Sequence, residues 1–177
     1  IGPNVAPRRA AGIALAGVVL AADQVVKHLI VSARDPFPVE ILPIFRLSYT
    51  ENHGVSLGLL TADSTAMRWV LVGLTAMIAI GVLVWMLRER RLPDILALGL
   101  VLGGAAGNII DRVSRGFVVD YADLHLGEWR PFLIFNLADA AITCGVVIIL
   151  ARSLFWSEKP ARADGDARTD PRPGDLS

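Results

Sequence analysis

Residues 69–87 form an unbroken run of nineteen in which Thr75 is the only polar side chain. A bilayer core of about 30 Å takes about 20 mostly apolar residues to cross as a helix. Backbone groups in lipid must bond within their own element, which leaves helices or closed barrels. This run has no strand alternation, so it is read as a membrane-spanning helix. Three further runs reach a similar length, at 10–31, 93–111 and 132–156. The chain is therefore expected to be an all-α membrane protein with four transmembrane helices, at about 10–31, 67–87, 94–113 and 133–155. These would form one domain over residues 1–156. Composition agrees: 54% of residues are hydrophobic, against roughly 45–50% in soluble chains.

The head of the first run looks like a secretory signal, with Arg8 and Arg9 followed by thirteen apolar residues. The apolar pattern then resumes through His28, Leu29, Ile30 and Val31, as in a retained helix. Between the first two runs, residues 32–65 carry Pro36, Pro38 and Pro43, and the alternation over 44–49 predicts short strands at the bilayer surface. The fold is thus four helices with a small extracytoplasmic β-containing loop region. Residues 157–177 are rich in Pro, Asp, Arg and Gly and read as a disordered cytoplasmic tail.

Orientation follows from where Lys and Arg flank the spans. Arg8, Arg9, Arg88, Arg90, Arg91, Arg152 and Lys159 cluster in short segments that should be cytoplasmic, with both termini inside. The other side holds Arg34, Arg46, Arg112, Arg115 and Arg130, spread over longer loops. Lys plus Arg and Asp plus Glu balance at 17 each, so no bulk field points to nucleic acid. The single cysteine, Cys144, sits in an apolar run and reads as a small core residue, and it excludes any cysteine cluster for zinc or iron–sulfur. His28, His53 and His125 follow no metal-ligand spacing, so neither metal nor cofactor is expected.

Against this background the polar residues inside the spans stand out, because an Asp, Lys or Arg near the middle of a membrane helix costs about 2.5–3.5 kcal/mol. Asp23, Lys27, Asn108, Asp111, Arg112, Asn136 and Asp139 all lie toward the outer side. Asp23 and Lys27 are spaced i, i+4 for an ion pair. Asn108, Asp111 and Arg112 share one helical face, and Asn136, Asp139 and Thr143 are expected to share another. Gly99, Gly103 and Gly107 form a ladder that lets helices approach closely. If the polar faces turn inward, they build one pocket just below the outer surface, which Asp120 enters from the loop after the third helix. Two carboxylates and no metal ligands suit hydrolysis of the aspartic protease kind, in which the pair shares one proton. Spacing leaves Asp23, Asp111, Asp120, Asp123 and Asp139 all as candidates.

Five motifs narrow the choice. Asp23-Gln-Val-Val-Lys27 resembles the D-Q-x-x-K of the lipoprotein signal peptidases, or signal peptidase II, and Asn52-His-Gly54 resembles their N-x-G. Gly103-Gly-Ala-Ala-Gly-Asn-Ile-Ile-Asp-Arg112 is similar to G-G-A-x-G-N-x-x-D-R, Val118-Val-Asp-Tyr121 to V-V-D-F, and Phe135-Asn-Leu-Ala-Asp139 to F-N-x-A-D. The resemblance implies an intramembrane aspartyl endopeptidase of the bacterial inner membrane that cuts diacylglyceryl-modified prolipoproteins just before the lipidated cysteine. It implies that Asp120 and Asp139 are catalytic. Asn52, Gly54, Asn108, Asp111, Arg112, Asn136, Asp23 and Lys27 would bind substrate or support the site. Membrane lipid is the other expected partner, and the enzyme would act as a monomer without cofactor. The sequence departs from the family at Val55, Ser56 and Leu57 after N-x-G, and at Tyr121 in place of Phe. A small proton-coupled transporter is the competing reading, although such sites lie near the midplane and these acids gather at one end.

Overall fold

The computed structural model describes residues 5–33, 37–54, 65–127, 129 and 133–155. In chain order the elements are α1 (Val5–Ser32), β1 (Val39–Leu42), β2 (Phe45–Asn52), α2 (Thr65–Arg88), α3 (Leu92–Ser114), β3 (Val118–Leu124) and α4 (Leu137–Phe155). All four helices are long and apolar enough to cross a membrane. In the central helix, α3, 56% of the apolar window is buried, against 22%, 11% and 17% for α1, α2 and α4.

Small residues let α3 take that position. A Cβ on Gly99 would stand 2.6 Å from the carbonyl oxygen of Gly12, and one on Gly103 would stand 2.5 Å from that of Ala16, so α1 lies directly on the α3 backbone. On the other side Gly104 faces the Ala138 carbonyl, and Gly145 of α4 faces the Ala97 carbonyl at 2.5 Å. The glycine ladder is thus a packing device, and in lipid such close approach replaces the hydrophobic drive available in water. By contrast, α2 is held at its far end, where Met86 packs against Ile95 and Leu98. At that end Arg152 of α4 also reaches Asp94 in the first turn of α3, with Nε to Oδ1 at 2.6 Å.

The strands form one antiparallel sheet in the order β1-β2-β3 at the end where α1 and α3 finish and α2 and α4 begin. Thr50 is paired with Asp120 and Asn52 with Val118, which lays β2 along β3. The alternation over 44–49 does become a strand, β2. The segment carrying Asp120, expected as a loop, is a strand as well, buried from Val118 to Asp123. It is anchored below by Ile30 packing with Val119, Tyr121 and Ala122. Phe135 then exchanges backbone hydrogen bonds with Ala122, so the chain is still extended there and α4 starts only at Leu137.

Two sequence expectations fail on α4. Cys144 is exposed on the bundle's outer surface, where it lines an apolar groove with Val18, Val19, Ala22 and Leu137. Thr143 is also exposed, so it does not share the inner face with Asn136 and Asp139. The buried stripe of α4 is instead Ala138, Ala141 and Gly145, because only small residues fit against α3. Val55, Ser56, Leu57 and the tail from 157 lie outside the described residues.

The close α1–α3 contact makes a comparison of two glycines informative. Gly103→Ala forces a methyl onto the Ala16 carbonyl, and overpacking of this kind costs about 1–3 kcal/mol. Gly73→Ala adds a methyl where nothing lies within 4 Å. Thermal unfolding in detergent is expected to show a clear loss of stability for the first variant and little change for the second.

Candidate active site

At the sheet end, charges with no access to solvent are packed between α1 and α3. Lys27, Asp23 and Asp111 have relative exposures of 0%. The Lys27 ammonium is 2.8 Å from Asp23 Oδ2 and 2.8 Å from Asp111 Oδ2, and it donates to Asn108 Oδ1 at 3.2 Å. Arg115 pairs with Asp111 one turn further along α3. Gln24 donates to both Asp23 and Asp111. Two cations thus meet two anions, which matters because one uncompensated buried charge costs about 3–5 kcal/mol.

The same carboxylate of Asp23 also serves α4. Its Oδ1 accepts the Ala138 N–H at 3.1 Å. The Leu137 N–H donates to the Tyr121 hydroxyl at 3.1 Å, and the Asp139 N–H to Asn136 Oδ1 at 2.9 Å. The first N–H groups of a helix have no partner within it, so three elements each supply one acceptor. Asn136 and Asp139 also close a reciprocal capping arrangement, because Asp139 Oδ2 accepts the Asn136 N–H at 3.3 Å. It is this cap, and not a shared helical face, that places Asn136 beside Asp139.

Asp120 comes to the same place from β3. It is 3% exposed and accepts the Asn136 Nδ2–H on Oδ1 at 2.6 Å and the Asn52 Nδ2–H on Oδ2 at 2.9 Å. Asp139 Oδ1 accepts from Asn108 at 2.8 Å. The Asn136 side chain therefore bridges the two acids, donating to one and accepting the backbone N–H of the other. Burial pushes the Asp120 carboxyl up to about 6, partly offset by the hydrogen bonds from Asn52 and Asn136 and reinforced by the neighbouring charge of Asp139.

Two residues complete the surround. Arg112 lies within electrostatic reach of Asp139, Asp120 and Asp111, and its Nε is buried without a hydrogen-bond partner among the described residues. Gly54, at φ +98°, turns the chain after β2 in a conformation that favours glycine. Its N–H is taken by Asn52 Oδ1 at 2.9 Å, and a Cβ there would stand 3.9 Å from Arg112 Nη2.

All ten residues singled out from sequence therefore gather at the sheet end, in two linked layers. Asp23, Lys27 and Asp111 form the inner charged layer. Asn52, Gly54, Asn108, Arg112, Asp120, Asn136 and Asp139 form the outer one. Asp123, the remaining acidic candidate, is used elsewhere, on Arg46 at 2.6 Å. Sequence reasoning missed Gln24, Arg115 and the Tyr121 hydroxyl. Arg115 had a readable signal, its i+4 spacing from Asp111. Gln24 stands in the D-Q-x-x-K motif, but apart from Asp23 its partners lie across the helix interface.

The Tyr121 hydroxyl makes a direct prediction. Burial pushes it up to about 12, so it stays protonated across the working range. Tyr121→Phe leaves the Leu137 N–H without its acceptor, a loss of about 1–3 kcal/mol. The variant is expected to unfold at lower temperature in detergent while retaining the site's hydrogen bonds to Asp120 and Asp139.

Comparison with known proteins gives a consistent result. The family model described as signal peptidase (SPase) II matches residues 15–155. The lipoprotein signal peptidase of Rhizorhabdus wittichii is 48% identical over 159 residues, covering 88% of this chain and 92% of the relative. That of Sphingopyxis alaskensis is 44% identical over 162 residues, covering 90% and 94%. Two solved structures, both described as bacterial membrane enzymes, are also similar. One has a TM-score of 0.72 at 31% identity over 84% of this chain and 95% of its own. The other has 0.71 at 28% identity over 85% and 93%.

Proposed function

Since the chain belongs to the signal peptidase II family, and so is a multi-pass bacterial membrane endopeptidase that removes signal peptides from diacylglyceryl prolipoproteins, we propose that Asp120 and Asp139 are its catalytic pair. The observation that carries this reading is the Asn136 bridge, whose side-chain NH2 donates to the Asp120 carboxyl while its backbone N–H donates to the Asp139 carboxyl. The site's position supports it as well. A diacylated substrate stays in the bilayer with its signal helix spanning, so its cleavage point lies at the membrane surface. The acids meet where the helices end and the sheet begins.

The two environments divide the labour. Asp120 is deeply buried and holds a proton up to about pH 6, so it is the acid. Asp139, half-buried in the first turn of α4, is the less enclosed of the two and takes the part of the base. Asp139 takes a proton from a water molecule, whose oxygen adds to the carbonyl carbon preceding the lipidated cysteine. Asp120 gives its proton to the carbonyl oxygen. Collapse breaks the C–N bond as Asp139 returns its proton to the departing nitrogen and Asp120 recovers the other. Asn108 and Asn136 hold the carboxylates in place, while Asn52 and Arg112 sit at the edge where the peptide would pass. With this side facing outward, both termini are cytoplasmic, in line with the basic residues at the opposite end. The protein acts as a monomer, with membrane lipid around it.

A proton-coupled transporter is the weaker reading. The acids stand at one end of the bundle, and the relatives carry the name of a peptidase.

Two measurements test the proposal. Asp120→Asn and Asp139→Asn are each expected to reduce cleavage of a diacylglyceryl prolipoprotein, followed by gel shift, at least about a thousandfold, with the purified variants still folded. Normal turnover by either variant removes that residue from the pair.

The second is a pH profile of kcat/KM, expected to fall above about pH 6 as free Asp120 loses its proton. The Asn52 hydrogen bond favours the ionised form, so Asn52→Ala raises the Asp120 carboxyl further. That descending limb should therefore move to higher pH in the variant. A limb that stays in place or moves down assigns it to another group.

A further inference from the structure

The buried ammonium group of Lys27 touches neither acid of the proposed pair, yet it determines how one of them is held. Lysine has three N–H donors and no acceptor. The three partners of Lys27 are Asp23 Oδ2 and Asp111 Oδ2, both at 2.8 Å, and Asn108 Oδ1 at 3.2 Å. A primary amide next to such a group can only present its oxygen. The Asn108 NH2 must then point the other way, and there it donates to Asp139 Oδ1 at 2.8 Å. The Asn136 NH2 also turns toward Asn108 Oδ1, at 3.4 Å, while donating to Asp120.

Resting on the assignment of Asp120 and Asp139 as the catalytic pair, we infer that Lys27 is a positioning residue that selects Asp139 as the base by locking the direction of the Asn108 amide. Were the ammonium absent, the amide could turn over and set its oxygen against Asp139. Two oxygens can share that contact only with a proton between them, and a protonated Asp139 cannot accept one from water. The lock needs a donor that cannot reverse, which lysine is and glutamine or asparagine is not. This role differs from ordering the end of α1, for which the ion pair with Asp23 alone would suffice.

The charged groups around the pair are Lys27 and its partner Asp23 on α1, Asp111 and Arg112 on α3, and Arg115 just beyond α3. Lys27 also contributes positive charge at Asp120. Its removal therefore acts on Asp120 toward the protonated form.

The test uses the full chain in detergent with a diacylglyceryl prolipoprotein substrate. Lys27→Met is expected to lower kcat about a hundredfold at neutral pH, within the range for disabling a general base, with KM changed less than about threefold. The pH optimum is expected to move up by about one unit, since a stabilising charge near the acids is lost. A role limited to fold stability would lower the melting temperature and leave the optimum in place.

Because Lys27→Met leaves two buried carboxylates facing each other, a second variant combines it with Asp23→Asn. That pair of changes removes one charge of each sign, and the amide oxygen can still accept the Ala138 N–H. Arg115 remains on Asp111. The same loss of kcat at little-changed KM is expected from it, with a smaller shift of the pH optimum because one charge of each sign is gone.

A wild-type kcat in either folded variant, or a wild-type pH optimum in folded Lys27→Met, overturns the inference. Failure of both to fold also overturns it, by making Lys27 a structural residue only. The Asp120→Asn and Asp139→Asn variants serve as reference. If those are inactive and Lys27→Met behaves like wild type, the positioning role alone is wrong. If those still cleave, the pair itself is wrong.

Discussion

The first turn of α4 begins inside a bundle surrounded by lipid, and its first three N–H groups have no partner within the helix. In water they could be solvated. Here the acceptors are Tyr121 from β3, Asp23 from α1 and Asn136 from the cap. Each acceptor is itself tied down, Asp23 by Lys27 and Gln24, and Asn136 by its bonds to Asp120 and Asn108. Satisfying one helix end therefore draws α1, α3 and β3 together, and the carboxylates of Asp120 and Asp139 are carried to the same point.

Charge explains why this arrangement is all or nothing. Lys27 and Arg115 against Asp23 and Asp111 form a closed set, costly to break at a single member and close to neutral as a whole. The set follows directly on the stretch where α1 and α3 touch backbone to backbone through Gly99 and Gly103, and Gly107 lies against the Asp23 carboxylate itself. Glycine at these positions is thus part of the electrostatics: a Cβ at Gly107 would collide with the Asp23 carboxylate.

How far the sequence could be read follows from the same physics. The spans were legible because lipid imposes a minimum apolar length, and the polar set was legible because each member is expensive where it stands. The strand β3 was not. Alternation marks a strand with one wet face, whereas residues from Val118 to Asp123 are all buried, and such a strand carries no period-two signal. Helical spacing misplaces Thr143, and membership of an apolar run misplaces Cys144, because neither sets the buried face of α4. Packing set it instead, through Ala138, Ala141 and Gly145. Gln24 and Tyr121 act across interfaces, and no local pattern reveals a partner 83 or 16 residues away.

A hydrolase in a membrane faces opposed demands, since its reaction consumes water while its substrate is held in lipid. The two acids meet these demands unequally. Asp120, nine residues beyond Asp111 and under the sheet, is almost fully buried, which keeps a proton on it that bulk water would remove. Asp139, half-buried and one turn into α4, is the member that a water molecule can reach, and its donors come from Asn108 and from the backbone of Asn136. In the proposed pair, unequal burial on either side of a single asparagine would make one of two identical side chains the acid and the other the base. Asp120 owes its burial to β3, whereas Asp139 stands in the first turn of α4. That difference comes from a strand laid across the end of a helical bundle, and that is the part of this fold that the four spans by themselves do not require.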